Sequence, residues 1–146
     1  MRLALYKGKG RIGNAAIRWW TRSPYGHCEL VIDGVAYSSS IMDSGVRAKR
    51  IEFDPEHWDF VDLPWASAAL VKSTFASTQG DPYGWGDLFW RQVFNRPGDA
   101  RGQFCSEWCA RALGLPNPQQ YSPATLGDYC TYRTRTCRTT STTGAG

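Results

Sequence analysis

The sequence predicts an α+β fold, in which an antiparallel β-sheet from the first half of the chain packs against helices from the second half. Short β-branched or alternating segments, separated by turn signals such as Asp33-Gly34 and Asp43-Ser44-Gly45, fill the first 63 residues. Segments of helical composition and spacing follow from residue 66 onward. A block of strands followed by a block of helices is typical of the α+β class.

Each block divides into elements at glycines, prolines and polar turns. In the first block, strands are predicted over residues 3–6, 27–32, 35–42, 46–53 and 57–63, with a short helix over 14–23. In the second block, helices are predicted over residues 66–80, 85–94, 104–115 and 121–130, with a loop over 95–103. Gly80 is a C-terminal cap signal. Ser122 followed by Pro123 is a signal for the start of the last helix, which we expect to be short.

The composition is that of an ordinary globular protein, with 42% apolar and 21% charged residues in a chain of 146. This length predicts one domain, which we place at residues 1–130. Residues 131–146 are basic and rich in threonine, and we expect them to form a solvated, poorly packed tail. The net charge of +4 is too diffuse to indicate a nucleic-acid partner.

Neither a signal peptide nor a membrane span is predicted. The apolar patch after Arg2 is interrupted at Lys7, and no apolar run approaches the roughly 18 residues of a span. We therefore expect synthesis in a cytoplasm. The five cysteines have neither the even count of a disulfide framework nor the paired spacing of a zinc site, so no cofactor or metal is expected.

Cys105 is the best candidate for a nucleophile. It stands at the predicted start of a helix, where unpaired N–H groups and the helix dipole favour a thiolate. Its own N–H would then contribute to an oxyanion hole. Cys28 follows His27 directly within a predicted strand, so its side chain is expected on the opposite face and in the core.

His27 is the candidate general base, and a third group is needed to orient its imidazole. Glu29 lies on the same face of the strand and is the better acceptor chemically. Ser38 and Ser39 on the neighbouring strand are alternatives with a better expected geometry. His57 is a weaker candidate for the base, since the surrounding proline and charges predict an exposed loop.

The order of these segments resembles the circularly permuted, YiiX-like branch of the NlpC-type, papain-like thiol hydrolases. The resemblance covers roughly residues 3–129 and depends on motif order, with the histidine strand first and the cysteine helix last. The matching motifs are Gly26-His27, Gly45-Val46, the turn containing Tyr83, the helix start Phe104 to Glu107, and the helix start Ser122 to Leu126.

The resemblance implies a permuted papain-like fold, with Cys105 as nucleophile and His27 as base. It also implies oxyanion support from Tyr83. Related sequences usually place an acid or a second histidine on the second strand, where this chain has Ser38 and Ser39. That departure strengthens the case for Glu29 as the third group.

The function that the resemblance implies is a cysteine amidase or peptidase acting on bacterial peptidoglycan. It also indicates a bacteriophage protein, associated with a virion near its tail proteins and delivered to the host envelope. Two alternatives remain open. The same Cys105–His27 pair could act on lipid or thioester acyl groups, as in the related lecithin:retinol acyltransferase group, or the fold could be a non-catalytic structural or host-interaction module of the virion.

Overall fold

The computed structural model describes residues 1–7, 24–40, 42–81 and 104–142, and its elements lie in these ranges. The strands are β1 (Arg2–Tyr6), β2 (His27–Ile32), β3 (Val35–Ser40), β4 (Gly45–Arg50) and β5 (Trp58–Asp62). The helices are α1 (Ala68–Thr78), α2 (Cys105–Ala112) and α3 (Pro123–Thr142), with a 3-10 turn at Pro118–Gln120. The predicted strand block and helix block are both present, which confirms the α+β class.

The five strands form one antiparallel sheet in the order β4-β3-β2-β1-β5. Two tight turns connect its consecutive strands where the sequence predicts them. Asp33 and Gly34 both have positive φ, 51° and 77°, as a two-residue hairpin with the twist of the flanking strands requires. Ser44, with φ of 61°, turns the chain between β3 and β4.

Strand alternation separates two apolar layers. The main core lies between the sheet and the helices, and its strand residues include Leu5, Cys28 and Leu30. The opposite face of the sheet carries a smaller cluster around Ala4 and Val31, covered by a few partly buried side chains: Ile51, Phe53 and Trp58. His27 and Glu29 share the face of this smaller cluster, because side chains alternate along β2.

The ladder between β2 and β3 is short. It runs from the pair Ile32↔Val35 beside the hairpin to the pair Leu30↔Tyr37. Beyond that point β3 continues to Ser40 in its pairing with β4. The main-chain carbonyl of Cys28 instead accepts hydrogen bonds from Ser38 Oγ, at 2.8 Å, and from Cys109 Sγ of α2, at 3.8 Å. The sheet is thus opened between β2 and β3 next to α2.

The last helix begins at Pro123, where the Ser122-Pro123 signal predicts, and α1 begins at Ala68, within the range predicted for it. Ser67 caps α1 by accepting a hydrogen bond from the N–H of Leu70. Ser122 Oγ accepts the N–H of Thr125 in the first turn of α3. Trp108 of α2 is fully buried, and its indole N–H donates to Thr78 Oγ1 of α1 at 2.9 Å. This bond fixes α2, and therefore its N-terminus, against α1.

The last helix is longer than the sequence predicts, since α3 crosses residue 130 and continues to Thr142. The first residues of the expected tail therefore pack against the domain. Thr134 Oγ1 donates to the carbonyl of Asp62 at 2.7 Å and accepts from Trp65 Nε1 at 3.1 Å. The guanidinium of Arg133 lies 4.1 Å from the centroid of the Trp65 ring. The composition of the tail could not reveal these contacts, because they are made with a segment that is distant in the sequence.

Several predictions lie outside the described residues: the helix at 14–23, the helix at 85–94, the loop at 95–103 and the turn containing Tyr83. Within the ranges that are described, no helix combines the length and apolar character needed to cross a membrane.

Thr134→Val is expected to destabilise the fold by about 1 to 2 kcal/mol, because it removes the hydroxyl that joins α3 to both Asp62 and Trp65. Thr131→Val is the matched control, since the hydroxyl of Thr131 bonds the Gly127 carbonyl of its own helix; its cost should stay below about 0.5 kcal/mol. Urea unfolding of both variants measures the difference. Equal losses would contradict packing of this part of α3 on the domain.

Candidate active site

His27 opens β2, and the segment before it is held in place by the sheet. The N–H of Gly26 donates to the carbonyl of Tyr6 at 2.9 Å. The hydroxyl of Tyr25 donates to Asp59 Oδ2 at 2.7 Å, and Lys7 Nζ donates to the other oxygen of that carboxylate at 2.6 Å. These contacts with β1 and β5 therefore fix the position from which the imidazole projects.

Glu29 is the group that orients the imidazole. Its Oε1 lies 3.0 Å from Nε2 of His27, and its side chain is only 2% exposed. Two residues apart on one strand, the side chains share a face, as the sequence predicts. The imidazole of His27 also makes a hydrogen bond with Cys105.

Arg47 of β4 completes this arrangement, and nothing in the sequence pattern points to it. Its Nη1 and Nη2 donate to the two oxygens of Glu29, each at 2.8 Å, in a bidentate pair. Its Nε donates to Asp43 Oδ2 at 2.7 Å. A basic residue alternating with apolar ones on β4 is an ordinary solvent-facing pattern, so only the fold reveals this pair.

Cys105 is the first residue of α2 and is 3% exposed. Its sulfur lies at the opening between β2 and β3. Counting back from the hairpin, backbone alternation turns the N–H and C=O of Cys28 toward β3, but the β2–β3 ladder ends before reaching them. The N–H of Cys28 bonds the Cys105 sulfur instead, and the thiol of Cys28 donates a second hydrogen bond to it.

Three interactions hold the pKa of Cys105 well below its ordinary value, against the opposing effect of burial. The largest is the hydrogen bond from the Cys28 thiol; the others are the charge and hydrogen bond of His27 and the N–H of Cys28. Burial, followed by contacts with the thiols of Cys105 and Cys109, raises the pKa of Cys28, so it stays protonated as the donor. Two adjacent thiols are thereby divided into one thiolate and one neutral donor.

The pKa of the His27 imidazole shifts in the opposite direction, upward. Burial alone would lower the pKa of His27, but the charge of Cys105, its hydrogen bond and the carboxylate of Glu29 together raise it to about 10. Burial likewise opposes ionisation of Glu29, yet hydrogen bonds from Arg47 and then His27 keep its pKa below the usual range. Cys105 and His27 therefore form a thiolate–imidazolium pair.

The position of Cys28 partly differs from the sequence interpretation. It is fully buried on the face opposite His27, as predicted. It is, however, more than a core residue, because it contacts Cys105 through both its thiol and its backbone. The two neighbours reach one sulfur from opposite faces, which is possible because β3 has separated from β2 at this level.

The other predicted groups occupy different positions. Ser38 Oγ donates to the main chain of β2 at Cys28, and Ser39 is buried opposite Val46 of β4, whereas Nε2 of His27 faces Glu29. His57 is about half exposed in a turn, with Nδ1 3.0 Å from Asp54. Tyr83 lies outside the described residues.

The arrangement contains what nucleophilic catalysis requires: an activated thiolate, a proton carrier beside it and an acid that orients the carrier. The backbone N–H groups at the start of α2 are suited to stabilise an oxyanion. In the part of the chain that the structure describes, no three or more His, Cys, Asp or Glu side chains are grouped to hold a metal ion.

No protein-family model, curated protein or solved structure matches this chain. The interpretation of the site therefore depends on its own geometry.

Cys28→Ala is expected to move the pH midpoint of Cys105 alkylation by iodoacetamide upward by roughly one unit, because the main hydrogen bond to the thiolate is lost. Cys28→Ser keeps a donor and should leave the midpoint near that of the wild type. Mass spectrometry of the labelled peptide follows Cys105 alone. An unchanged midpoint in Cys28→Ala would show that this thiol does not stabilise the thiolate.

Proposed function

We propose that this protein is a cysteine hydrolase that cleaves an amide bond through an acyl-enzyme on Cys105. The observation that carries the proposal is the contact between Cys105, at the start of α2, and His27, whose Nε2 is held by the buried Glu29. This is the geometry of nucleophile, base and orienting group found in thiol hydrolases.

The reaction follows from these positions. The Cys105 thiolate attacks the carbonyl carbon, and the negative charge moves to the carbonyl oxygen, where N–H groups at the start of α2 stabilise it. The tetrahedral intermediate collapses as the His27 imidazolium gives its proton to the departing amine. The neutral imidazole then takes a proton from water, which attacks the thioester and releases a carboxylic acid, restoring the thiolate–imidazolium pair.

The proposed substrate is a peptide amide of bacterial peptidoglycan, with a permuted papain-like fold and delivery by a bacteriophage virion as the setting. This part of the proposal comes from the motif order, which resembles the permuted NlpC-type hydrolases. In its favour, the strand carrying His27 precedes the helix carrying Cys105, and α2 packs against the sheet at the start of that strand.

Cys105→Ala should reduce release of peptides from purified muropeptides at least about 10³-fold, and His27→Ala about 10²-fold or more. His57→Ala is the control for histidine loss, because that side chain is exposed and bonded to Asp54. Chromatography of the digests measures the rates. Full muropeptide hydrolysis by Cys105→Ala would contradict the mechanism. If the wild-type protein cleaves thioesters or lipids and leaves muropeptides intact, the substrates of the Cys105–His27 pair are acyl lipids or thioesters.

The pH dependence should also be that of an ion pair. Because the pKa of Cys105 is held well below its ordinary value and that of His27 is raised to about 10, the ion pair persists up to about pH 10. The second-order rate of iodoacetamide labelling should reach its plateau at a lower pH than for an ordinary thiol, and kcat/KM should fall above about pH 10, when His27 loses its proton. A labelling midpoint at the ordinary thiol value, about 8.5, would contradict the ion pair.

A further inference from the structure

Arg47 is built into the site more tightly than a surface arginine. Its side chain is 14% exposed, and three of its nitrogens donate hydrogen bonds of 2.7 to 2.8 Å to two carboxylates. Both oxygens of Glu29 are taken by the planar guanidinium. A bidentate pair fixes the plane of the carboxylate as well as its position.

The contact with Arg47 also determines what Glu29 can do for His27. Glu29 Oε1 is shared, lying 2.8 Å from Arg47 Nη2 and 3.0 Å from His27 Nε2. A carboxylate buried to this extent is costly unless its charge is matched and its lone pairs are occupied. Without the guanidinium, one imidazole would be left to satisfy the whole carboxylate.

To reach Glu29 on β2, the side chain of Arg47 must extend from β4 across β3. The residue that β3 places at this position is small and leaves space for it. Arg47 stands opposite Ser38 in the β3–β4 register, so both side chains project on the face that carries Glu29. Ser38 is small and turns its hydroxyl to the main chain at Cys28 and Ser39. A large side chain at residue 38 would stand between Arg47 and the carboxylate.

The charges along this route alternate in sign from the thiolate outward. The titratable groups placed against it by the described elements are Cys28, His27 and Glu29 on β2, Asp43 before β4, Arg47 and Lys49 on β4, and Cys105 and Cys109 on α2. Negative Cys105 meets positive His27, then negative Glu29, positive Arg47 and negative Asp43. Removing Arg47 would leave the buried inner groups with excess negative charge.

We propose that Arg47 is a positioning residue of the hydrolase: its guanidinium locks the Glu29 carboxylate in the orientation that aims the His27 imidazole at Cys105, and its charge lets the thiolate–imidazolium pair form in a buried site. The inference rests on the proposed function, but the effect of Arg47 on the Cys105 thiolate can be measured without any substrate.

The experiment compares Arg47→Met, Arg47→Lys and Arg50→Met. Arg50 is also on β4 but exposed, so its variant is the matched control for losing an arginine from this strand. In Arg47→Met the pH midpoint of Cys105 labelling by iodoacetamide should rise by roughly one unit, because a positive charge near the buried pair is lost. The kcat/KM for muropeptides should fall about 10²-fold.

Arg47→Lys separates charge from orientation. It keeps the positive charge, so the labelling midpoint should stay within a few tenths of a unit of the wild type, but it cannot form the planar bidentate pair, so kcat should fall about tenfold. Arg50→Met should leave both quantities within twofold. Circular dichroism and thermal unfolding confirm that each variant is folded, and if Arg47→Met does not fold, Arg47→Lys alone tests the orientation.

An unchanged labelling midpoint in folded Arg47→Met would overturn the charge role, and a wild-type kcat in Arg47→Lys would overturn the orientation role. Failure of the proposed function has a different signature. In that case the wild-type protein labels at low pH and depends on Arg47 for doing so, yet hydrolyses none of the muropeptide, thioester or lipid substrates.

Discussion

The early end of the β2–β3 ladder is the constraint on which the site depends. In a continuous sheet, the N–H and C=O of Cys28 would be hydrogen-bonded to β3. Because the ladder stops at Leu30↔Tyr37, the carbonyl binds Ser38 and Cys109 and the N–H becomes available to Cys105. The same opening admits the start of α2 to the level of the sheet, where His27 approaches from one face and Cys28 from the other.

Electrostatics explains how so many ionisable groups can be buried here together. An isolated thiolate or carboxylate in this environment would take up a proton, since burial penalises its charged form. In this site each charge is adjacent to one of opposite sign, from Cys105 through His27 and Glu29 to Arg47. The outer end of the series, at Asp43, reaches solvent, and hydrogen bonds from Lys49 and Arg47 lower the pKa of that carboxyl to about 2. The buried inner groups are thereby connected to a solvated counter-charge.

Much of the fold follows from local rules and could be predicted. The Asp33-Gly34 hairpin needs positive φ at both residues, and the cap at Ser122 satisfies an N–H group in the first turn of its helix, so each signal is read within a few residues. The length of α3 could not be predicted in this way. Its continuation past residue 130 is supported by Thr134 and Arg133 against Trp65, a contact between segments far apart in the chain.

The candidate site likewise has features that follow from local rules and features that depend on tertiary contacts. By itself the sequence determined that Cys105 starts a helix, that His27 starts a strand, and that Glu29 shares the face of His27 while Cys28 does not, because helix ends and strand alternation are local properties. Only the tertiary structure decided that Glu29, not Ser38 or Ser39, faces the imidazole, that Cys28 bonds the Cys105 sulfur, and that Arg47 holds the carboxylate. These contacts depend on where one strand leaves another and on which side chains meet across the gap, and neither is encoded in the spacing of residues along a single element.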